Sequence, residues 1–348
     1  MKRIGNYIGF ILVLGIVLEG TIRVYHKIVY AKWKTSQKDI LTSKYPNLQK
    51  ANDYNYQDSK QNILILGGSV VFEDTIKIMI EGEFRQVSFC GFNQQNTDWN
   101  VLNLAFPGHT SLDSRVKLKL LKSYKFDYVL IYHGINDTRS NNVLKTDYDI
   151  EYRHIEFYDE LMTAIQHKES GFLLSPYYIE LVLKKIKCKV GFQNYIPKEF
   201  LSFIEKEDAQ IVEKYFDLPC IRPSIISFQR NYNALIESAL QAKMKPILCT
   251  YAFYQPSNYS YDNFKNGQLD YASKLFPTEL YGNPSCVPYS IEGHNKAIKR
   301  LAKKHYPKVL FIDFENILDK KRENFLDICH LTSGGCDILY NNVSKTIE

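Results

Sequence analysis

Short, continuously apolar runs recur along this chain and alternate with segments whose apolar residues have helical spacing. The runs cover residues 62–66, 101–104, 128–132, 246–251 and 309–313. The helical segments cover 111–123, 228–240, 295–305 and the residues after His330. Fully apolar strands that alternate with helices are typical of a parallel sheet covered by helices on both faces. The sequence therefore predicts an α/β fold built on one such sheet.

Four of the predicted strands are followed closely by residues that suit an active site. Ser69 follows the first run, Gly108 the second and Asn136 the third, and the aromatic pair at 253–254 follows the fourth. Parallel sheets place their sites beyond the carboxyl ends of the strands. We therefore expect these residues to lie at one shared site.

A histidine and an aspartate near the C-terminus complete a reactive set with the serine. Asp327 and His330 are three residues apart, so on a turn or a helical start they face the same side. A serine hydroxyl is a poor nucleophile until a base takes its proton, and histidine does this near neutral pH. A carboxylate fixes the tautomer of the histidine. We predict Ser69 as nucleophile, His330 as base and Asp327 as the acid that orients it.

The same set offers donors for a developing oxyanion. The backbone N–H groups of Ser69 and Gly108 and the side-chain amide of Asn136 predict a three-donor oxyanion hole. Each motif alone has a plain structural interpretation: Gly-Gly-Ser is a common turn, Asp-x-x-His a common cap, and Gly-x-Asn-Asp a common turn composition. The order of the motifs and their placement at strand ends carry the functional interpretation.

These four segments resemble the four blocks of the SGNH/GDSL hydrolase family. The matching residues are Ser69 in LILGGSV, Gly108 in NLAFPGHTS, Asn136 in YHGINDT and His330 in DICHLTSGG, with Asp327 as the triad acid. The resemblance runs from about residue 62 to the end. It implies a three-layer, flavodoxin-like fold and hydrolysis of ester bonds, without a metal or a cofactor. Gly68 stands where the family name implies aspartate, and a long insertion follows Asp137.

The N-terminal segment 1–25 predicts a membrane anchor. Residues 7–18 are apolar, which is short of the roughly 20 residues that span a bilayer. The helix reaches spanning length if Glu19 and Arg23 pair at i,i+4. A buried or interfacial helix is the alternative. No cleavage site of small residues follows, so we expect the segment to stay attached, with the catalytic domain outside the cytoplasm. Basic residues on both flanks leave the membrane orientation open.

The rest of the chain divides into a polar stalk at 26–60 and a hydrolase domain at 61–348. Within that domain, 138–225 fits no strand–helix repeat and predicts a helical insertion. One helix is expected from Ser175 to about residue 187, because Pro176 suits the first helical position, and another at 197–216. Plain packing and a role as a lid over the site are both open for this insertion.

Composition excludes some classes of protein and leaves the cysteines unsettled. A net charge of +6 with intermixed signs does not indicate nucleic-acid binding. Seven cysteines without a CxxC motif argue against a disulfide framework or a zinc site. In an oxidising compartment Cys220 with Cys286, or Cys329 with Cys336, remain candidate pairs. Cys249 lies in an apolar run and is expected to be buried.

The sequence as a whole predicts a membrane-anchored serine esterase that acts on acylated small molecules or glycans. Family members with such an N-terminal anchor often act on the cell envelope, so the resemblance implies O-acetyl groups on envelope glycans as the substrate. Tyr254, Tyr259 and Tyr261 after a strand fit this expectation, because aromatic rings stack on sugars. These tyrosines are equally well explained as ordinary loop residues. An O-acyltransferase, a lipid esterase and a non-catalytic envelope binding protein remain as alternatives.

Overall fold

The computed structural model describes residues 2–30, 39, 41–42, 45–80, 83–92, 99–121, 123–141, 173–189, 220 and 222–348. The chain forms two compact units. One consists of Met1–Pro46 with Arg153–Pro197, and the other of Asn47–Tyr152 with Lys198–Glu348. The helix predicted at 197–216 and most of the predicted insertion lie outside the described residues. The predicted domain boundaries stay predictions.

The larger unit is built on the parallel sheet that the apolar runs predicted. Five strands lie side by side in the order Trp99–Asn103 (β4), Gln61–Gly67 (β1), Tyr128–Tyr132 (β5), Lys245–Cys249 (β6) and Leu310–Ile312 (β7). Every neighbouring pair is parallel. The antiparallel hairpin β2-β3 lies apart from this sheet and was not predicted. The strands are β1 (Gln61–Gly67), β2 (Ile76–Ile80), β3 (Glu83–Val87), β4 (Trp99–Asn103), β5 (Tyr128–Tyr132), β6 (Lys245–Cys249) and β7 (Leu310–Ile312).

The strand order places a topological switch point at β1. The chain leaves β1 for β4 on one side and later returns to β5 on the other side, so β1 has both as neighbours. Open parallel sheets bind their ligands in the crevice beyond the carboxyl ends of strands at such a point. Ser69, Gly108 and Asn136 follow β1, β4 and β5 respectively. The topology therefore brings together the three segments on which the sequence analysis placed the site.

Amphipathic helices cover the sheet of the larger unit. The helix Ser224–Gln241 has five completely buried apolar residues at helical spacing, namely Phe228, Tyr232, Leu235, Ile236 and Ala239. The fold class predicted from the sequence is thus confirmed. The α-helices given by the described residues are α1 (Lys2–Tyr30), α2 (Ser111–Leu120), α3 (Ile135–Thr138), α4 (Ser175–Lys189), α5 (Ser224–Gln241), α6 (Tyr261–Lys265), α7 (Val287–His305), α8 (Phe314–Ile317) and α9 (Ser333–Ile347).

Two disulfides correct the expectation that the cysteines form no framework. Cys220 pairs with Cys286, which is one of the pairs left open, whereas Cys336 pairs with Cys90 and not with Cys329. Cys90 and Cys336 are 246 residues apart and meet because α9 returns to the segment that follows β3. Such a pairing has no local sequence signal. Cys249 is free and buried, as expected, and Cys329 is also free and buried.

The smaller unit contains α1 and α4. The segment Tyr7–Ile28 of α1 is long and apolar enough to cross a membrane, with a mean hydropathy of 1.9. The predicted pair at i,i+4 is present, because Arg23 Nε lies 2.9 Å from Glu19 Oε1. Glu19 also accepts hydrogen bonds from the backbone N–H groups of Leu174 and Ser175, at the start of α4. The carboxylate therefore joins α1 to α4.

Candidate active site

Ser69 occupies a tight turn directly after β1. It opens a 3₁₀ turn over Ser69–Val71, and its side chain is nearly buried in the crevice. A Cβ atom at position 67 would lie 2.3 Å from Val71 Cγ2 and 2.9 Å from the carbonyl oxygen of Tyr132. Only glycine therefore lets the chain turn this close to β5. The Ser69 hydroxyl lies 2.7 Å from His330 Nε2.

His330 and Asp327 lie on a short turn. This turn is closed by hydrogen bonds between its own residues. The backbone N–H of Leu326 donates to the carbonyl of His330 at 2.7 Å, and Phe325 forms an isolated bridge with Leu331. His330 Nδ1 lies 2.8 Å from Asp327 Oδ2. Since a carboxylate only accepts hydrogen bonds, Nδ1 carries the proton, and Nε2 of the neutral ring is free to accept from Ser69.

The charge of Asp327 is supported by backbone donors and acts on His330. Oδ1 accepts from the N–H groups of Cys329 and His330 at 2.9 and 2.8 Å, and Oδ2 accepts from Phe276 N–H at 3.2 Å. Burial acts to lower the pKa of His330, but the adjacent Asp327 carboxylate outweighs this and holds that pKa above its usual value. The imidazolium that forms when the ring takes a proton is therefore stabilised.

The turn that contains Gly108 faces open space. Gly108 has a φ of +77°, a left-handed conformation that favours glycine, and a Cβ atom there would meet nothing within 4 Å. Among the described residues, the backbone N–H groups of Ser69 and Gly108 donate to no acceptor. Backbone N–H groups that have no acceptor and face open space are suited to donate to an oxyanion.

Asn136 lies against both the serine turn and the Gly108 turn. Its Nδ2 donates to the carbonyl of His109 at 3.0 Å, and a Cβ atom at position 68 would lie 2.8 Å from the same nitrogen. The glycine at 68, which departs from the family name, therefore makes room for the Asn136 amide. Within the described part of the chain, the second hydrogen of Nδ2 has no acceptor, so it is available to a substrate oxygen.

A buried lysine that the sequence analysis missed holds the Gly108 turn from behind. Lys117 is completely buried in α2, and its Nζ donates to the carbonyl of Leu104 at 2.6 Å and to His109 Nδ1 at 2.5 Å. Burial lowers its pKa to about 7, although Asp113 acts to raise it. Because Leu104 and His109 flank Gly108, Lys117 fixes both ends of the turn.

Asp137, beside Asn136, ties α3 to α2. Its carboxylate accepts from the backbone N–H of Ser111 at 3.1 Å and from the Ser111 hydroxyl at 2.5 Å. Burial raises its pKa to about 7, and the hydrogen bonds from Ser111 offset part of this effect. The carboxyl group points into this contact, so its role at the site is to position Asn136.

Phenylalanine rings surround the base. The ring centroids of Phe89 and Phe276 each lie 5.2 Å from that of His330. Phe72 lies next to Phe89, and Phe106 packs edge-on against Phe72 at 5.6 Å. These rings exclude water from the buried base and present apolar surface beside Ser69.

The other histidines near the motifs have structural partners. His133 Nε2 lies 2.7 Å from the Ser114 hydroxyl, and burial together with Lys117 lowers the pKa of His133 to about 3. His109 contacts Lys117 as described. These contacts make both residues neighbours of the proposed base rather than alternative bases.

Two of the three tyrosines considered for sugar stacking, Tyr254 and Tyr259, are engaged within the protein. The hydroxyl of Tyr259 donates to Glu279 Oε2 at 2.6 Å, and that of Tyr254 donates to Asp270 at 2.9 Å. Both rings pack against the core. The aromatic surface nearest to His330 is thus supplied by phenylalanines, which had no recognisable signal in the sequence.

Asp327, Cys329 and His330 also have the composition of a metal site, with their ligand atoms within 4.8 Å of one another. However, His330 Nδ1 and both oxygens of Asp327 already share hydrogen bonds. A metal ion at this position would have to replace the contact that orients the ring. The arrangement is therefore best suited to proton transfer between Ser69 and His330.

No family model and no curated protein matches this chain. Solved structures do match. One is a GDSL-like lipase from Bacteroides thetaiotaomicron, with 13% identity, 88% of this chain and 98% of that chain covered, and a TM-score of 0.44. Another is an acetylxylan esterase from Geobacillus stearothermophilus, with 12% identity, 84% and 96% covered, and a TM-score of 0.38.

The chain is similar to structures of ester hydrolases. The first of these structures bears the GDSL designation that the sequence resemblance had suggested. Identities and TM-scores this low carry no argument about activity. We therefore base the function on the residues of the site.

Proposed function

We propose that this protein is an SGNH/GDSL-type serine esterase that hydrolyses acyl esters at Ser69. One observation carries the proposal: the Ser69 hydroxyl, His330 and Asp327 form a continuous hydrogen-bonded chain with contacts of 2.7 and 2.8 Å. Residues 69 and 330 lie 261 positions apart. A nucleophile, a base and an orienting carboxylate in this order are the requirements for acyl transfer.

The proposed reaction has two steps. Ser69 Oγ attacks the ester carbonyl carbon while its proton passes to His330 Nε2. The tetrahedral intermediate then collapses, and the imidazolium returns the proton to the departing alcohol. Water attacks the acyl-enzyme in the same way, giving up its proton to His330, and the acid leaves as Ser69 recovers its hydrogen. Asp327 steadies the imidazolium in both steps and keeps its charge throughout.

The proposed oxyanion hole consists of the N–H groups of Ser69 and Gly108 and the amide of Asn136. The unused N–H groups and the contact of Asn136 with His109 support this assignment. Donors that are fixed before the reaction stabilise the developing negative charge without reorganisation. Gly108 is required because its left-handed conformation turns the backbone toward the open mouth.

We place the enzyme at a membrane, with the catalytic unit outside the cytoplasm. Two disulfides support this placement, because disulfides persist in oxidising compartments. The contacts of Glu19 with Leu174 and Ser175 support retention of α1, since a removed signal segment would leave that part of α4 without its partner. Thiol counting by mass spectrometry on protein from intact cells tests whether the disulfides form.

The substrate proposed from the sequence is an O-acetyl group on an envelope glycan. The phenylalanine rings beside His330 favour a second candidate, a lipid ester with a longer acyl chain. Hydrolysis of p-nitrophenyl esters from acetate to octanoate separates these two: a maximum at acetate supports the glycan esterase, and a rate that rises with chain length supports the lipid esterase. Acyl release with and without an acceptor glycan distinguishes hydrolysis from transfer.

The decisive test compares the wild type with Ser69→Ala and His330→Ala in the full chain. We expect each variant to lose activity by about 10⁴-fold or more, and the double variant to be no worse, since the two residues act as one unit. Ser88→Ala, an exposed serine next to Phe89, is the matched control and should keep full activity. Labelling of wild-type Ser69 by a fluorophosphonate should disappear in both active-site variants. Esterase activity in Ser69→Ala close to that of the wild type would refute the proposal.

A further inference from the structure

The helix α4 has two apolar faces, although a helix on a protein surface usually has one. Leu174, Tyr177 and Leu181 form its buried face. The opposite face is also apolar, and its residues are about half exposed. They recur at the i, i+3, i+4 and i+7 spacing of a single helical face: Ile179 (48%), Val182 (52%), Leu183 (51%) and Ile186 (51%). Apolar surface in this amount indicates contact with a partner or a membrane.

The contacts of α4 with α1 show at which depth it begins. Glu19 accepts from the N–H groups of Leu174 and Ser175, and His26 Nε2 lies 2.6 Å from the hydroxyl of Tyr178. These contacts run in the same order along both helices, so α4 follows α1 in the same direction. Because Glu19 lies inside the candidate span Tyr7–Ile28, the first turns of α4 lie beside the second half of that span.

The sequence of α4 changes along its length in the way that an interface requires. Its first nine residues carry one charged side chain, whereas Lys184, Lys185, Lys187 and Lys189 fall in its last six. A helix that leaves the hydrocarbon region and enters the headgroup region needs this order, since lysines near a helix end extend to anionic headgroups.

We propose that α4 is a second lipid-contacting helix, which lies obliquely beside α1 with its exposed apolar face in the acyl-chain boundary and its C-terminal half among anionic headgroups. The inference rests on the proposed membrane anchorage by α1. The continuity of α4 with the candidate span argues for the bilayer as the occupant of this face. The competing occupant is a second copy of the chain, and it is an outcome of the test.

The test places a fluorescent nitrobenzoxadiazole label at Leu183→Cys in the full chain, reconstituted in vesicles of phosphatidylcholine and phosphatidylglycerol. Cys188 is replaced by serine in this background, since Cys249 and Cys329 are free but buried. Ile226→Cys is the matched control, because it is an isoleucine on α5 of the larger unit with 62% exposure. Fluorophosphonate labelling of Ser69 reports that each variant is folded.

We expect doxyl-labelled lipids to quench the label at 183 several-fold more strongly than the label at 226, and aqueous iodide to do the reverse. Equal quenching by iodide at both positions would overturn the proposal. Protection of position 183 from iodide without quenching by doxyl lipids would also overturn it and would indicate a second copy. Flotation of the same vesicles tests α1 separately: protein that floats with an iodide-accessible label keeps the anchor and rejects the role of α4.

Discussion

The two sides of the Ser69 site are held in place by different kinds of contact. On one side lies the base turn, which we define as residues 325–331 with Asp327 and His330. On the other side lies the Gly108 turn, which we define as residues 104–110. The base turn is closed by its own backbone and by one carboxylate, and it also accepts hydrogen bonds from the backbone N–H groups of Tyr254, Ala272 and Phe276. The Gly108 turn is fixed by side chains and strands that are distant in the sequence.

The long-range contacts of the Gly108 turn come from four directions, one of them being Asn47, whose Nδ2 donates to the carbonyl of Leu104 at 2.7 Å. Phe106 N–H donates to the carbonyl of Gly67 at 3.2 Å, which joins the turn to β1. Lys117 reaches it from α2, and Asn136 reaches it from α3. A change in the base turn is therefore expected to act on the chemistry through a single charge. A change around the Gly108 turn is expected to act through the position of the oxyanion donors. Several residues should share this effect.

The largest effect is expected for Asp327→Asn in the base turn. The loss of the carboxylate charge should lower kcat/KM at pH 7 by about 10³- to 10⁴-fold. It should also move the ascending limb of the pH profile to lower pH. The sign follows from the raised pKa of His330 in the wild type: the neutral ring that accepts a proton forms only as the pH rises through that pKa, and Asp327 is what raises it. If the ascending limb of the pH profile lies at the same pH in the variant as in the wild type, Asp327 does not raise the pKa of His330.

Asn136→Ala tests the other side of the site. Removal of one oxyanion donor typically lowers kcat by about 10²- to 10³-fold, and KM should change little. Asn136→Asp keeps the shape but replaces the donor by an acceptor, so it should not recover the activity. Gly68→Ala should act in the same direction, because its Cβ would lie 2.8 Å from Asn136 Nδ2. Full activity in Asn136→Ala, from steady-state kinetics, would remove this residue from the proposed oxyanion hole.

Lys117→Met separates the effect of Lys117 on the position of the Gly108 turn from its effect on the stability of the fold. We expect kcat to fall about ten- to hundredfold as the Gly108 turn loosens, with little change in KM. Leu104 keeps a hydrogen bond from Asn47 Nδ2 at 2.7 Å, so the fold should persist. Burial lowers the pKa of Lys117 to about 7, so the unfolded chain binds more protons above that pH, and Lys117 adds stability as the pH rises toward its ordinary pKa.

The same variant therefore has a stability signature. Relative to Lys117→Met, the wild type should gain thermal stability between pH 7 and pH 10, measured by Tm in parallel melts. Lys119→Met, an exposed lysine two residues further along α2, should show neither effect. A parallel pH dependence of Tm in wild type and Lys117→Met would contradict the buried, low-pKa lysine.

The smallest effect is expected for Gly108→Ala. A left-handed φ of +77° costs an alanine about 1–2 kcal/mol, and the added methyl group meets no atom within 4 Å. Chemical denaturation should therefore show a loss of this size. Gly334→Ala in α9 is the control, because its φ is not left-handed and alanine favours a helix there. Equal changes in the two variants would show that the turn at 108 is not strained.

The comparison of the two turns also explains which parts of the site were predictable. Asp327 and His330 were found from a spacing of three residues, because hydrogen bonds within one short turn bring their side chains together. Ser69, Gly108 and Asn136 were found because each follows an apolar strand, and parallel strands end at one edge. Lys117, Phe89 and Phe276 were missed. Their roles arise only from the packing of α2, the segment after β3 and the loop before Thr278 around the crevice.

The sequence by itself determined the alternation of strands and helices, because apolar periodicity is a property of neighbouring residues. It likewise determined the five residues of the proposed triad and oxyanion hole. Tertiary structure decided the strand order, the pairing of Cys90 with Cys336 over 246 residues and the burial of Lys117. These features depend on which distant segments meet once the whole core is packed, and that choice minimises exposed apolar surface over the entire unit rather than within any window of the chain.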